Sequence, residues 1–305
     1  MSDRTALVVG GGGFLGHAVA RALERAGDRV VVPRVPWDDP DAAAAALREA
    51  VTAVLERDRP WRMVWSAGTG IVASGEQAFS SERAMLDRVL APAGIVTSTP
   101  GEVFFASSAG GVYAGATGVP FDEHTEPAPL APYGRSRLTA EQHFREFASH
   151  TGARLLVGRI ANLYGPGSNL RKPQGLVSQL ALAHVERRPS SIYVPMDTTR
   201  DYLYIDDAAA MVVEGLDAVA AGPSGATTTK ILASQQGRTI TEVVEAVSAA
   251  FGEPLDVREG HDSSAPFHGR DLRFRSSVLT ELDDREHVPF AEGVRRTVAA
   301  VRASR

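Results

Sequence analysis

Apolar positions along the chain switch between two spacings. Thr5 to Val9 is a short, β-branched apolar run that stops at Gly10, Gly11, Gly12 and Gly13, and beyond it Leu15, Val19 and Leu23 recur at intervals of four up to Gly27. That pattern predicts a strand, a glycine turn and a helix. Arg29 to Val32 predicts a second continuous buried strand, and Asp39-Pro40 offers an N-cap and a first-turn proline for an alanine-rich helix running to about Arg57. Buried strands are also predicted at Met63–Ser66, Val103–Ser107 and Leu155–Ile160, separated by helix-length segments. Strands alternating with helices in this way predict an α/β fold, a doubly wound parallel sheet with helices on both faces.

The pattern changes at Tyr164, where Gly165, Pro166, Gly167, Pro173 and Gly175 crowd a short stretch. The expected division is therefore 1–164 as a nucleotide-binding sheet domain and 165–305 as a smaller, mixed substrate-binding region. Segments near 201–235 are expected to return to the first domain: a helix from Asp206 and Asp207 to about Ala220, then a strand at Ile231–Ala233. A further amphipathic helix is expected from Thr239 to Phe251.

Composition narrows the classes of function. The 305 residues include no cysteine, which removes thiolate chemistry, iron–sulfur clusters and cysteine-based zinc sites. The eight histidines lack tight ligand spacing, so no metal site is expected. With 32 Lys+Arg against 37 Asp+Glu, the net charge of −5 gives no general attraction to nucleic acid or anionic lipid. No apolar stretch approaches the roughly 18 residues of a membrane span, and a strand-like run from Thr5 leaves no room for a signal peptide. A cytoplasmic protein with small-molecule or protein partners is expected.

Gly10, Gly13 and Gly16 form G-x-x-G-x-x-G directly after a strand and at the start of a helix. Glycines there allow a tight turn, close approach of a pyrophosphate and close helix packing, while the helix N-terminus faces the anion. This is the context of a Rossmann-type dinucleotide site. At the end of the second strand, where an acidic residue would accept from the ribose of NAD, stands Arg34, which favours the 2′-phosphate of NADP. NADP is therefore the expected cofactor, with NAD as the alternative.

Tyr133 precedes Arg137 by four residues at the start of a predicted helix, so both project from one face. A phenol titrates near ~10 and needs a neighbouring cation to serve as acid or base at neutral pH, which Arg137 supplies. Ser107 and Ser108 end the Val103 strand on the side where ligands bind such sheets. On spacing alone, Tyr133 and Arg137 read as an ordinary surface pair on a helix.

The chain as a whole resembles the extended short-chain dehydrogenase/reductase family of nucleotide-sugar epimerases, dehydratases and reductases. Val9 to Gly16 is similar to that family's T-G-G-x-G-F-x-G turn, Ser107 to Tyr113 to its S-S-x-x-V-Y, and Pro132 to Arg137 to its P-Y-x-x-S-K. Arg159 to Pro166 resembles R-x-x-N-x-Y-G-P, and Arg200 to Asp207 resembles R-D-Y-x-x-V-x-D. The resemblance implies that Tyr133 is the general acid/base, that Gly10, Gly13, Phe14, Leu15 and Gly16 bind the dinucleotide, and that Ala67 and Gly68 line its cleft. It implies contact of Asn162, Arg200 and Arg270 with a nucleotide-sugar, the arginines on its diphosphate, and a homodimer built on a four-helix interface. Two positions depart from the pattern. The family's lysine is Arg137, and the usual catalytic Ser or Thr is Ala109, leaving Ser108 or Ser107 to supply the hydroxyl. The Thr-Asp-Glu triplet of sugar 4,6-dehydratases is missing, which argues against elimination. The leading expectation is an NADP-dependent reductase of a keto group on an activated sugar. An epimerase that retains NAD is the alternative, and a dinucleotide-binding protein without turnover is a third reading. Should Tyr133 not be the acid, Tyr113 and Glu123 are the nearest substitutes in sequence.

Overall fold

The computed structural model describes residues 4–56, 59–68, 76–91, 99, 101–172, 174–261 and 267–305. The first part of the chain runs β1 (Thr5–Val9), α1 (Phe14–Arg25), β2 (Arg29–Val31), α2 (Pro40–Leu55), β3 (Trp61–Trp65), α3 (Glu76–Leu90), β4 (Glu102–Ser108), the short α4 (Ala109–Val112), α5 (Pro132–Thr151) and β5 (Arg154–Ile160). The remainder runs β6 (Asn162–Tyr164), α6 (Leu176–Val185), β7 (Ser190–Ile192), β8 (Thr199–Tyr204), α7 (Ile205–Ala220), β9 (Thr227–Leu232), β10 (Gly237–Thr239), α8 (Ile240–Phe251), β11 (Val257–Glu259), β12 (Asp271–Leu272) and α9 (Phe290–Ala303).

Six parallel strands form the main sheet in the order β2-β1-β3-β4-β5-β9. Both faces are covered, which is why β1 reads as an unbroken apolar run: Ala6 and Val8 enter one core while Leu7 and Val9 enter the other. On the first face lie α1 and α7, contributing Leu15, Val19 and Leu23 together with Ala208, Val212 and Leu216. The opposite face is closed by α2, α3 and α5 through Leu47, Val51, Leu86, Val89, Phe144 and Phe147. This is the expected doubly wound, Rossmann-type α/β architecture. The chain steps from β1 to β2 on one side and returns to β3 on the other. A crevice therefore opens at the carboxyl ends of β1 and β3, where such sheets bind ligands.

Local signals act as read. Asp39 caps α2 by accepting from the amides of Asp41 and Ala42, both at 3.0 Å. The expected end of that helix at Arg57 lies outside the described residues. At α8 the cap is reciprocal, Thr239 Oγ1 accepting from the Glu242 amide at 3.1 Å while the Thr239 amide donates to Glu242 at 2.7 Å. The second strand differs from expectation. It ends at Val31, its residues are exposed to half-buried, and Val32 is 50% exposed. The physical reason is topological: among the described residues β2 is the edge of the sheet, with β1 as its one neighbouring strand.

Beyond Tyr164 the chain builds a second layer around β8, which pairs antiparallel with β10 and parallel with β6 and β12. It then re-enters the main sheet, α7 packing on α1 and β9 lying parallel to β5 as the sixth strand. Lys230 on β9 is fully buried, donating to Ser276 at 2.6 Å and Asp283 at 2.7 Å. Among the described residues no helix is long and apolar enough to cross a membrane. No group of three or more His, Cys, Asp or Glu among them forms a metal site.

Candidate active site

The glycine turn assigns a different task to each of its glycines. Gly10 adopts φ +88°, and a Cβ there would lie 2.6 Å from the Ala67 amide nitrogen. At Gly16 a Cβ would meet the Gly10 carbonyl oxygen at 2.2 Å, so these two glycines let α1 and the end of β3 close on the turn. Ser66 completes the joint, its amide and hydroxyl donating to the Val9 carbonyl at 2.9 and 3.0 Å. Gly12 and Gly13, by contrast, are exposed, and nothing lies within 4 Å of a Cβ at Gly12. Gly13 is the N-cap of α1 and offers no side-chain acceptor to its first amides. Free amides at a helix N-terminus, under an open glycine surface, fit a pyrophosphate. Phe14 is half-buried behind the turn, Leu15 and Gly16 are buried, Ala67 is half-buried and Gly68 is exposed on the far lip. Val32 packs against Gly11, a Cβ there meeting it at 2.7 Å, which brings the end of β2 beside the turn. Arg34, two residues on, is exposed and makes no hydrogen bond or ion pair among the described residues.

The carboxyl end of β4 carries the second half of the site. Ser108 caps α4, its oxygen accepting from the Gly111 amide at 3.1 Å, which leaves the hydroxyl proton available to another acceptor. Ala109 is fully buried in a small apolar cluster with Val112, Tyr113, Phe121 and Leu272. Tyr133 enters at the first turn of α5, where Gly134 packs so tightly on α4 that a Cβ would lie 2.0 Å from the Gly111 carbonyl oxygen. The Tyr133 ring covers Gly111, 2.9 Å from where a Cβ would stand, so Ser108 and Tyr133 share one neighbour. The Tyr133 hydroxyl has no hydrogen-bond partner among the described residues.

One turn along α5, the Arg137 guanidinium carbon lies 5.6 Å from the centre of the Tyr133 ring and 5.7 Å from that of Phe105. Arg137 is 4% exposed and donates to Glu82 on α3 at 2.5 Å. The spacing of four thus yields the expected neighbours, with the cation over the ring and fixed by a carboxylate that the reading of the sequence missed. The available signal was Glu82's place on the apolar stripe of α3, in register with Phe79, Leu86 and Val89.

Ser107 faces away from the crevice. Its hydroxyl donates at 2.7 Å to Glu141, which also takes two bonds from Arg159, at 3.0 and 2.9 Å, and one from Arg145 at 3.1 Å. Burial pushes the Glu141 carboxyl up, but the Arg159 bonds and charge, with Ser107 and Arg145, outweigh it and hold the group below the usual carboxylate range. Tyr113 receives a bond from Arg159 at 2.5 Å, and burial raises its phenol above the ordinary value. Glu123 accepts from the amides of Ile231 at 2.7 Å and Ser277 at 2.8 Å. Both substitutes for Tyr133 are thereby engaged in holding the fold.

The three expected substrate contacts cluster on the second layer. Asn162, exposed on β6, donates to the Asp201 carbonyl at 3.1 Å. Arg200 on β8 is 8% exposed, and its guanidinium donates to the carbonyls of Thr199 at 2.8 Å and Arg270 at 3.4 Å, with no carboxylate partner among the described residues. Burial lowers its pKa. Arg270 is exposed beside β12 and pairs with Asp197. Leu272 of β12 lies 3.7 Å from where a Cβ on Gly110 would stand, so this edge abuts the turn that carries Ser108.

Comparison with known proteins finds relatives over most of the chain. A UDP-glucose 4-epimerase of Rhizobium meliloti is 26% identical over 294 residues, covering 87% of this chain and 88% of that protein. A dTDP-4-dehydro-6-deoxyglucose reductase of Escherichia coli is 32% identical over 106 residues, which span only 33% of its length and 35% of this chain. Among solved structures, the UDP-glucose 4-epimerase of Thermus thermophilus in complex with NAD superposes with a TM-score of 0.74 at 21% identity, covering 99% of each chain. The family model described as the NAD dependent epimerase/dehydratase family matches residues 6–229, and the chain belongs to that family.

Proposed function

We propose that the protein is an NAD(P)-dependent oxidoreductase acting on a nucleotide-activated sugar, and that it reduces a keto group. The observation that carries this reading is Tyr133: a phenol with no hydrogen-bond partner among the described residues, beside a cation held by Glu82, and sharing Gly111 as a neighbour with Ser108. The bound dinucleotide supplies the hydride. Tyr133 gives its proton to the substrate oxygen, and Ser108, which already accepts from Gly111, donates a hydrogen bond to the same oxygen, keeping its own proton and holding the oxygen in place. Arg137, over the Tyr133 ring and bonded to Glu82, places a guanidinium beside the phenolate left behind. Arg200, a buried cation whose bonds among the described residues go to backbone carbonyls, and the exposed Arg270 supply positive charge for the sugar's diphosphate, with Asn162 beside them. Arg34, exposed beyond β2 and making no hydrogen bond or ion pair among the described residues, selects NADP over NAD. A homodimer through the neighbouring helices α3 and α5 belongs to the same proposal.

Epimerisation is the second reading, favoured by the nearly full-length match to a UDP-glucose 4-epimerase. The same residues serve it, Tyr133 first removing and then returning a proton at a sugar hydroxyl. A dinucleotide-binding protein without turnover is the third, favoured by the engagement of Arg137 with Glu82.

One experiment separates them: purified protein is offered NADPH or NADH with a panel of keto-sugar nucleotides, and NAD with UDP-sugars. Consumption of NADPH, lost by on the order of 10²-fold or more in Tyr133→Phe with dinucleotide affinity retained, is the expected result. Interconversion of UDP-sugars without net consumption selects the epimerase. No turnover of any substrate, or turnover indifferent to Tyr133→Phe, removes the proposed mechanism, and tighter binding of NADH than NADPH removes the role of Arg34.

A further inference from the structure

The two arginines of the second layer are provided for differently. Arg200 and Leu272 are register partners of β8 and β12, so their side chains share one face of that sheet, and Arg270, two residues before Leu272, belongs to the same face. Leu272 sets this face against the turn that carries Ser108, 3.7 Å from where a Cβ on Gly110 would stand. Arg200 is buried there, and its bonds among the described residues go to the carbonyls of Thr199 and Arg270. The side chain of Arg270 is 73% exposed, and its guanidinium donates to the carboxylate of Asp197.

Both ends of this pair stand on anchored backbone. The Met196 carbonyl accepts from the Thr241 amide and the Thr198 carbonyl from the Ile240 amide, each at 3.1 Å, which ties the residues on either side of Asp197 to the first turn of α8. Across from it, the Arg270 carbonyl accepts from the Thr199 amide at 2.9 Å. The neighbouring acid, Asp271, is engaged by Arg273 at 2.7 Å. An exposed ion pair contributes little to stability, so folding gives Asp197 no strong reason to be acidic. Its chemistry says more. A carboxylate offers a guanidinium fork the same two-oxygen edge that a phosphate does, so Asp197 and a phosphate are alternatives on Arg270.

We propose that Asp197 is a built-in competitor of the nucleotide-sugar: its carboxylate holds Arg270 until a diphosphate takes its place, and it thereby limits how tightly the nucleotide half of the substrate is held. This rests on the diphosphate reading of Arg270 above. Calorimetry uses the nucleoside diphosphate that wild type binds most tightly of UDP, dTDP, CDP and GDP, and its nucleoside, which carries no phosphate. Asp197→Asn removes the charge from an exposed side chain and keeps its size. It should bind the diphosphate about threefold more tightly, the scale of one exposed ion pair, and leave the nucleoside unchanged. Arg270→Ala should weaken the diphosphate, and adding Asp197→Asn to it should recover nothing. Unchanged or weaker diphosphate binding in Asp197→Asn overturns the proposal. A gain of the same size in the Arg270→Ala background also overturns it, because that marks general charge repulsion rather than competition for one arginine. Failure of wild type to bind any of the four diphosphates, or equal affinity in wild type and Arg270→Ala, identifies the diphosphate reading as the error and removes the proposal with it.

Discussion

Asp201 is completely buried, and the fold treats its two oxygens unequally. Oδ1 accepts from the Ser234 amide at 2.8 Å and hydroxyl at 3.0 Å, whereas Oδ2 is buried without a hydrogen-bond partner among the described residues. Burial outweighs these bonds and raises the pKa from 3.8 to about 6. A carboxyl whose folded pKa lies above its unfolded one contributes stability below pH 3.8 that is lost as pH rises through about 6. Asp201→Asn keeps an acceptor for Ser234 and carries no charge. Urea unfolding should show wild type losing up to about 3 kcal/mol relative to this variant between pH 4 and 7.5, and a pH-independent difference would remove Asp201 as the titrating group. Glu141 acts with the opposite sign: its depressed pKa gives stability that is lost on acidification below the ordinary carboxylate range. The residues legible in the sequence are those whose partners are near along the chain. Tyr133 and Arg137 meet because four residues make one helical turn, but Glu82 lies 55 positions from Arg137 and meets it only through the packing of α3 on α5. Glu141 was missed for the same reason, its hydrogen bonds to Ser107 and Arg159 crossing from helix to sheet.

At the scale of elements, the glycine turn separates a ligand requirement from a folding requirement. A side chain at Gly13 would meet only the Gly10 carbonyl, at 3.2 Å, and would otherwise occupy the open cradle. Gly13→Val should therefore keep the circular dichroism spectrum while abolishing dinucleotide binding, and unchanged affinity would make the turn purely structural. Gly16→Val should fail earlier, because its Cβ would stand 2.2 Å from backbone and 2.5 Å from Ser66 Oγ. Its melting temperature should drop well below that of Gly13→Val. The turn, α1 and the cap of α2 were legible because each is specified by adjacent residues. The extent of β2 was not, since an apolar run looks the same whether topology gives the strand one neighbour or two. The short strands β10 and β12, of three and two residues, fall below the length at which alternation is visible.

At the scale of the molecule, the sheet domain is not closed by residues 1–164. Its sixth strand is β9, and α7 covers the face on which α1 lies, so later sequence completes the first core. A fragment ending at Tyr164 should expose that face and give a protein with helical far-ultraviolet signal but without near-ultraviolet circular dichroism. A native near-ultraviolet spectrum from the fragment would show the two parts to be separable. At the opposite end the sheet stops at β2, and Val32, Arg34 and Trp37 are exposed beyond it, Trp37 by 46%. Among the described residues no strand lies beyond β2, so a dinucleotide seated on the glycine turn would have its adenine at this exposed edge. A chemical tether on the adenine amine would leave the protein undisturbed. Resin carrying the cofactor by its adenine should retain the enzyme until free dinucleotide elutes it, while resin carrying it by the nicotinamide should let the enzyme pass.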